Sequence, residues 1–133
     1  MQYLLLIYAP EPPSEAEIPP EEFQMQLAAY DVFTRETRER GVMLAGEALQ
    51  PTTTATSVRV RDGGALVTDG PFAETKEALG GFYLLECRDL DEAIELAAKI
   101  PGARHGTIEI RPIWQLPETY GAATGAAGAA EPS

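Results

Sequence analysis

Gln2-Tyr3-Leu4-Leu5-Leu6-Ile7-Tyr8 is apolar on both alternations. Tyr3, Leu5 and Ile7 lie on one side of an extended chain, and Leu4, Leu6 and Tyr8 on the other. A strand with this pattern is buried on both faces. Gly81 to Cys87 repeats it, with Phe82 and Leu84 alternating against Tyr83, Leu85 and Cys87. Two such strands need cover above and below.

Working outward, Ala9 to Pro20 is proline-rich and acidic, a loop that ends in Pro19-Pro20 at a helix start. Glu21 to Arg40 carries Phe23, Leu27, Tyr30 and Phe33 or Thr34 at helical spacing, and Gly41 ends the helix. Val42 to Leu49 reads as a strand. Ser57 to Arg61 and Ala65 to Thr68 flank Asp62-Gly63-Gly64, which predicts a β-hairpin. Asp69 to Gly80 reads as a charged loop. Asp89 to Ile100 predicts a second helix with Asp89 as its cap, Glu92 as the capping-box acid, and Leu90, Ala93, Ile94 and Ala97 as its stripe. Thr107 to Ile113 is the last strand. The Ala/Gly-rich stretch after residue 116, through Ser133, has no periodicity and is expected to be disordered, leaving one domain over 1–116.

Without the hairpin the order is βαββαβ, so the expected class is α+β, ferredoxin-like with an inserted β-hairpin. Two helices cover one face of a four-stranded antiparallel sheet. The other face, with Leu4, Leu6 and Leu85 expected on it, is left for a second copy of the chain.

Composition limits the function classes. The 133 residues include 21 acids and 10 bases, for a formal charge of −11. Such a surface repels phosphate backbones and anionic lipid, so neither nucleic acid nor membrane is expected as a partner. One cysteine, Cys87, leaves no internal disulfide, and a single histidine leaves no Cys/His zinc site. No metal or cofactor is expected; a carboxylate-only site has no spacing signature here, and neither Gly63-Gly64 nor Gly80-Gly81 belongs to a phosphate loop. The short apolar run at the N-terminus lacks a basic flank, so the expected location is cytoplasmic.

Several residues are candidates for chemistry. Asp69 precedes Gly70-Pro71; it is a general base if its proton affinity is raised, or simply a turn residue, and the turn reading is favoured. Glu74, Lys76 and Glu77 line a mouth, with Lys76 holding an anion, or form a solvated loop. Phe72 is a ligand contact or, as favoured, a plug into the core. Glu109 and Arg111 share a strand face, either as an ion pair reaching Glu47 or Asp69 or as an acid and an anion-holder in a pocket. His105, the lone histidine, lies in a loop and is a proton shuttle or surface decoration. Cys87 reads as an inert core thiol, and Trp114, Tyr8 and Tyr83 as core or interface aromatics.

Val67-Thr68-Asp69-Gly70-Pro71-Phe72-Ala73-Glu74-Thr75-Lys76-Glu77 resembles the signature of the YCII-related, DGPF-domain proteins. Met1 to Tyr8, Ala45-Gly46-Glu47, Gly80-Gly81-Phe82-Tyr83 and Gly106 to Pro112 resemble the rest of that pattern over residues 1 to 116. The resemblance implies a dimeric α+β barrel with a cleft between subunits or beside the sheet. Some relatives in the wider superfamily, a dehydrochlorinase among them, use a His-Asp pair, the His early in the first helix and the Asp before the Pro after the second. This chain has no histidine in its first helix, and Ile100 precedes Pro101.

The function expected is a homodimer with a small-molecule pocket, doing cofactor-free proton transfer of the isomerase or lyase type. Asp69 or Glu109, with His105, is placed in the catalytic role, and Lys76, Glu77, Arg111, Glu47 and Phe72 in binding. The alternatives are a non-catalytic regulatory or protein-interaction partner, tied by the resemblance to sigma-factor systems, and a purely structural dimer.

Overall fold

The structure, a computed structural model, describes residues 1–11 and 18–117. Its elements are β1 (Gln2–Ala9), α1 (Pro20–Glu39), β2 (Met43–Ala48), β3 (Thr56–Arg61), β4 (Gly64–Asp69), β5 (Ala78–Glu86), α2 (Leu90–Ala97) and β6 (Thr107–Pro112). Strands β2, β5, β1 and β6 form one sheet in that order, and every pairing in it is antiparallel. With β3 and β4 set aside as a separate two-stranded ribbon, this is the ferredoxin-like α+β fold with an inserted hairpin. The Ala/Gly-rich tail beyond residue 117 lies outside the described residues.

Strand register assigns each side chain to a face. Tyr3 pairs with Leu85, Leu5 with Tyr83 and Ile110, and Ile7 with Ile108. These residues face the helices, and with Phe33, Val42, Ala93, Leu96 and Ile100 they make the core. Phe33 packs on Tyr83 with ring centroids 4.8 Å apart. Buried Thr37 satisfies its hydroxyl by donating to the Phe33 carbonyl oxygen at 2.9 Å. Cys87 is buried, and desolvation pushes its thiol up, as befits an unreactive core residue.

The opposite face carries Leu4 opposite Leu84 and Leu6 opposite Phe82, with Ala45 and Glu47 beyond them on β2 and Arg111 and Glu109 on β6. No helix covers it. Leu4, Leu6, Phe82 and Leu84 are half-buried by strand neighbours alone. Leu85 does not belong with them: it is 0% exposed on the helix side, and Leu84 takes the outer place. A run apolar on both alternations does not reveal its own phase; pairing with β1 sets it.

Helix α2 is shorter than expected, and its stripe is rotated. Ala93, Leu96 and Ala97 point inward with Glu92, whereas Leu90 and Ile94 are exposed. The cap sets this phase. Asp89 accepts the Glu92 backbone N–H at 3.0 Å, and the Glu92 carboxylate accepts the Arg88 N–H at 2.7 Å. The two helices are tied by charge. Arg40 reaches Glu95 at 2.8 Å and Glu36 at 3.1 Å, and Lys99 reaches Glu36 at 2.6 Å.

Lys99 holds Glu36 below its ordinary value of 4.5, with Arg40 assisting, and Arg40 does the same for Glu95. A lowered carboxylate contributes stability above its unfolded value and loses it as pH falls through the folded one. The melting temperature should therefore decline as pH drops below 4.5. The double variant Glu36→Gln/Glu95→Gln should show a shallower decline in a pH series of thermal melts. An unchanged slope would remove this pair from the acid response.

Candidate functional site

Four chain segments converge where β1 ends and β5 begins. Ala9 pairs with Ala78, Tyr8 with Thr107, and Ala48 with Gly81, so all four sheet strands finish or start at this end. The loops that leave it enclose an open cavity of about 480 Å³, lined by Glu11, Thr52, Thr53, Gly70, Pro71, Ala73 to Lys76, and Ala78. Its size falls in the range of small-molecule sites, while its lining is more polar than usual.

Glu11 is fixed there. The Thr52 N–H donates to one carboxylate oxygen at 2.9 Å and the Thr52 hydroxyl to the other at 2.6 Å. That pair closes the loop after β1 onto the 3-10 turn Thr52–Thr54. The Thr75 hydroxyl donates to the Glu77 carbonyl oxygen and curls the charged loop. Lys76 and Glu74 have no ion-pair partner among the described residues, so one cation and one carboxylate of the lining remain free for a ligand.

The structure brings only some of the sequence candidates together. Lys76 lines the cavity. Asp69 ends β4 one residue before the lining begins at Gly70, and its carboxylate accepts no hydrogen bond among the described residues. The turn is instead closed by backbone: the Gly70 N–H donates to the Ala55 carbonyl oxygen at 2.6 Å, and the Ser57 hydroxyl donates to that of Gly70 at 2.8 Å. Glu77 is half-buried beside the lining without joining it. Phe72 is not a core plug. It is 78% exposed, in the bend that follows Pro71, where no element of the described residues buries it.

Glu109 and Arg111 sit on the uncovered sheet face. The Arg111 guanidinium donates to a single Glu109 oxygen at 2.6 and 3.1 Å, and this contact raises its proton affinity. Glu47 shares the face, but β5 and β1 intervene between β2 and β6, so within one chain it does not meet that pair. His105 is exposed after the 3-10 turn Pro101–Arg104 and lies outside the cavity lining. Trp114 is exposed, Tyr8 is half-buried on the open face, and Tyr83 is core. Sequence reasoning missed Glu11, Thr52, Thr53 and Thr75, which come from loops distant in the chain. The one signal available was an acid and a threonine run each bounded by proline.

Among the described residues no group of three or more His, Cys, Asp or Glu could hold a metal ion, and no helix is long and apolar enough to cross a membrane.

Fold and cavity together define a ferredoxin-like α+β domain with an open apolar sheet face and a polar cavity at its strand ends. The chain belongs to the YCII-related family, whose domain profile matches residues 1–117. It is similar to an uncharacterized protein of Rhizobium meliloti (strain 1021), 38% identical over 115 residues that cover 85% of this chain and 92% of that one. Among solved structures it is similar to 5-chloro-2-hydroxyhydroquinone dehydrochlorinase from Burkholderia phenoliruptrix in complex with 2,5-dihydroxybenzoquinone. There the identity is 13%, the coverage 90% of this chain and 98% of that one, and the TM-score 0.45, a likeness too low to bring chemistry with it. Helix α1 contains no histidine, and Ile100, at the position before Pro101, is buried in the core.

Proposed function

We propose that the chain is a homodimeric small-molecule-binding protein whose chemistry is proton transfer without a cofactor, of the isomerase or lyase type. The cavity carries this reading: among the described residues its Lys76 and Glu74 have no ion-pair partner, and the Thr53 hydroxyl makes no hydrogen bond. A lysine beside an open polar cavity suits an anionic group such as a carboxylate or phenolate. A carboxylate within reach of the same ligand is placed to take a proton from it. Asp69, adjoining the lining, is the second candidate for that role. The apolar strip of Leu4, Leu6, Phe82 and Leu84 supports the dimer, since a half-exposed strip of this kind on a small domain gains from burial against its like.

Lys76→Met should weaken binding of small aromatic and aliphatic carboxylates by at least about tenfold, roughly 1.4 kcal/mol, with melting temperature unchanged in ligand-free buffer. Thermal shift across a panel of such anions checks it. Deuterium incorporation from heavy water into a bound ligand, followed by NMR, reports the proton transfer. That exchange should be lost in Glu74→Gln if Glu74 is the base, or in Asp69→Asn if Asp69 is. A panel that shifts nothing would count against the small-molecule reading and for a protein-interaction role.

A further inference from the structure

We propose that the β3–β4 ribbon is an arm that seats on the overhanging half of α1 in a second copy of this chain. The proposal rests on the homodimer reading above and says where one part of that contact lies.

The ribbon is built as a defined unit and then left bare. Asp62 and Gly63 have positive φ of 52° and 77°, the two-residue turn that matches strand twist, and the register runs unbroken from Thr56 opposite Asp69 to Arg61 opposite Gly64. That register puts Val58 beside Val67 and Val60 beside Ala65 on one face. The three valines are 61%, 65% and 65% exposed. A two-stranded ribbon is marginal by itself and gains stability when its apolar face is packed.

Helix α1 shows the matching feature. Tyr30 lies level with Gly102 and Ile7, close to where β1 ends. Everything from Pro20 to Ala29, ~15 Å of helix, is exposed, and its outer part runs on past Ala9, where β1 ends. Phe23 and Leu27, one turn apart, lie on the side of the helix that carries Tyr30, which packs against the core, and each is about half exposed. The ribbon springs from the same end of the sheet, next to β2. Its six-residue strands span ~20 Å, enough to cross the ~10 Å between two facing sheets and reach the helix layer behind.

Charge favours a like copy as the occupant. Within residues 56–69, Arg59 and Arg61 balance Asp62 and Asp69, so the ribbon is neutral and the chain's charge of −11 resides entirely elsewhere. The overhang carries Glu21 and Glu22 in its first turn. Neither ribbon arginine has a carboxylate partner among the described residues, and both have stems long enough to reach round a ribbon edge. Two bodies this acidic repel over most of their surface, and the neutral ribbon, like the apolar sheet face, is a segment able to approach. Because ribbon and overhang leave the same end, a two-fold axis along the strands lets each arm meet the other copy's helix. The cavity lies at the roots of the arms, so the contact walls it.

The test is cysteine cross-linking, which buried Cys87 leaves undisturbed. A Val60→Cys chain mixed with a Leu27→Cys chain should form a disulfide heterodimer on mild oxidation, several-fold more than a Leu66→Cys chain on the opposite ribbon face. Val58→Asp/Val67→Asp should weaken self-association at least tenfold with the circular dichroism spectrum retained. An intramolecular bond in the double-cysteine chain would overturn the proposal, because the arm then closes on its own helix. A wild-type dimer with no cross-link would overturn it too while leaving the homodimer standing. A wild-type monomer would sink both.

Discussion

Gly106→Ala will cost the domain a large share of its folding stability. A Cβ built on Gly106 falls on the Tyr8 carbonyl oxygen, far inside van der Waals contact, with the Ala9 Cα at 2.9 Å and the Tyr8 carbonyl carbon at 3.0 Å. All three obstacles are backbone, so no rotamer change relieves them. Strand β1 cannot retreat, because it is bonded to β5 on one side and β6 on the other. Overpacking in cores costs ~1–3 kcal/mol when neighbours adjust; with neighbours that cannot, a loss of about 3 kcal/mol or more is expected, against a total of ~5–15 kcal/mol for a domain. Urea denaturation measures it. Gly63→Ala is the control: φ is 77° with nothing within 4 Å, and the backbone penalty alone is ~1–2 kcal/mol. A Gly106→Ala protein as stable as the Gly63→Ala one would show that the close approach of this loop to β1 is not obligatory.

Leu84→Glu should dissociate the proposed homodimer without unfolding the chain. Leu84 stands between Leu4 and Ala45 on the uncovered face and is half-buried in the single chain. A glutamate there meets water in the monomer and is stripped of it when a second copy covers the face. An unpaired carboxylate so placed costs several kcal/mol, so the dimer dissociation constant should rise by at least ~100-fold, about 2.8 kcal/mol. Its neighbour gives the contrast. Leu85 is 0% exposed under the helices, and Leu85→Ala should cost ~2–5 kcal/mol of folding stability. Light scattering and thermal melts on the two variants separate the faces. Loss of stability in both with association intact would mean that the open face is sheltered within one chain.

The residues themselves show where the sequence was legible. Strands, helices and the inserted ribbon were readable from local chemistry, because Asp62-Gly63 fixes its turn within a few residues and Asp89 fixes its cap. The phase of β5 was not, because both of its alternations are apolar and only the pairing of Tyr3 with Leu85 shows which one meets the helices. The stripe of α2 was misplaced by one step, since Glu92 is drawn inward by the Arg88 N–H and by Arg40 against what hydrophobicity alone implies. The site was harder still. Glu109 and Arg111 were legible as a pair through the two-residue repeat of a strand, but the strand order that keeps Glu47 from them is a tertiary fact. Glu11, Thr52 and Lys76 lie more than twenty residues apart in sequence, and nothing local marks their convergence.

In the proposed homodimer, the apolar sheet face of Leu4, Leu6, Phe82 and Leu84 is covered by the same face of a second copy. Sedimentation equilibrium on the wild-type chain puts this to the most direct test. A species of twice the 14.3 kDa chain mass is expected at micromolar concentration, shifting toward one chain mass only on dilution or in Leu84→Glu. A 14.3 kDa particle at every concentration, stable to heat, would contradict it.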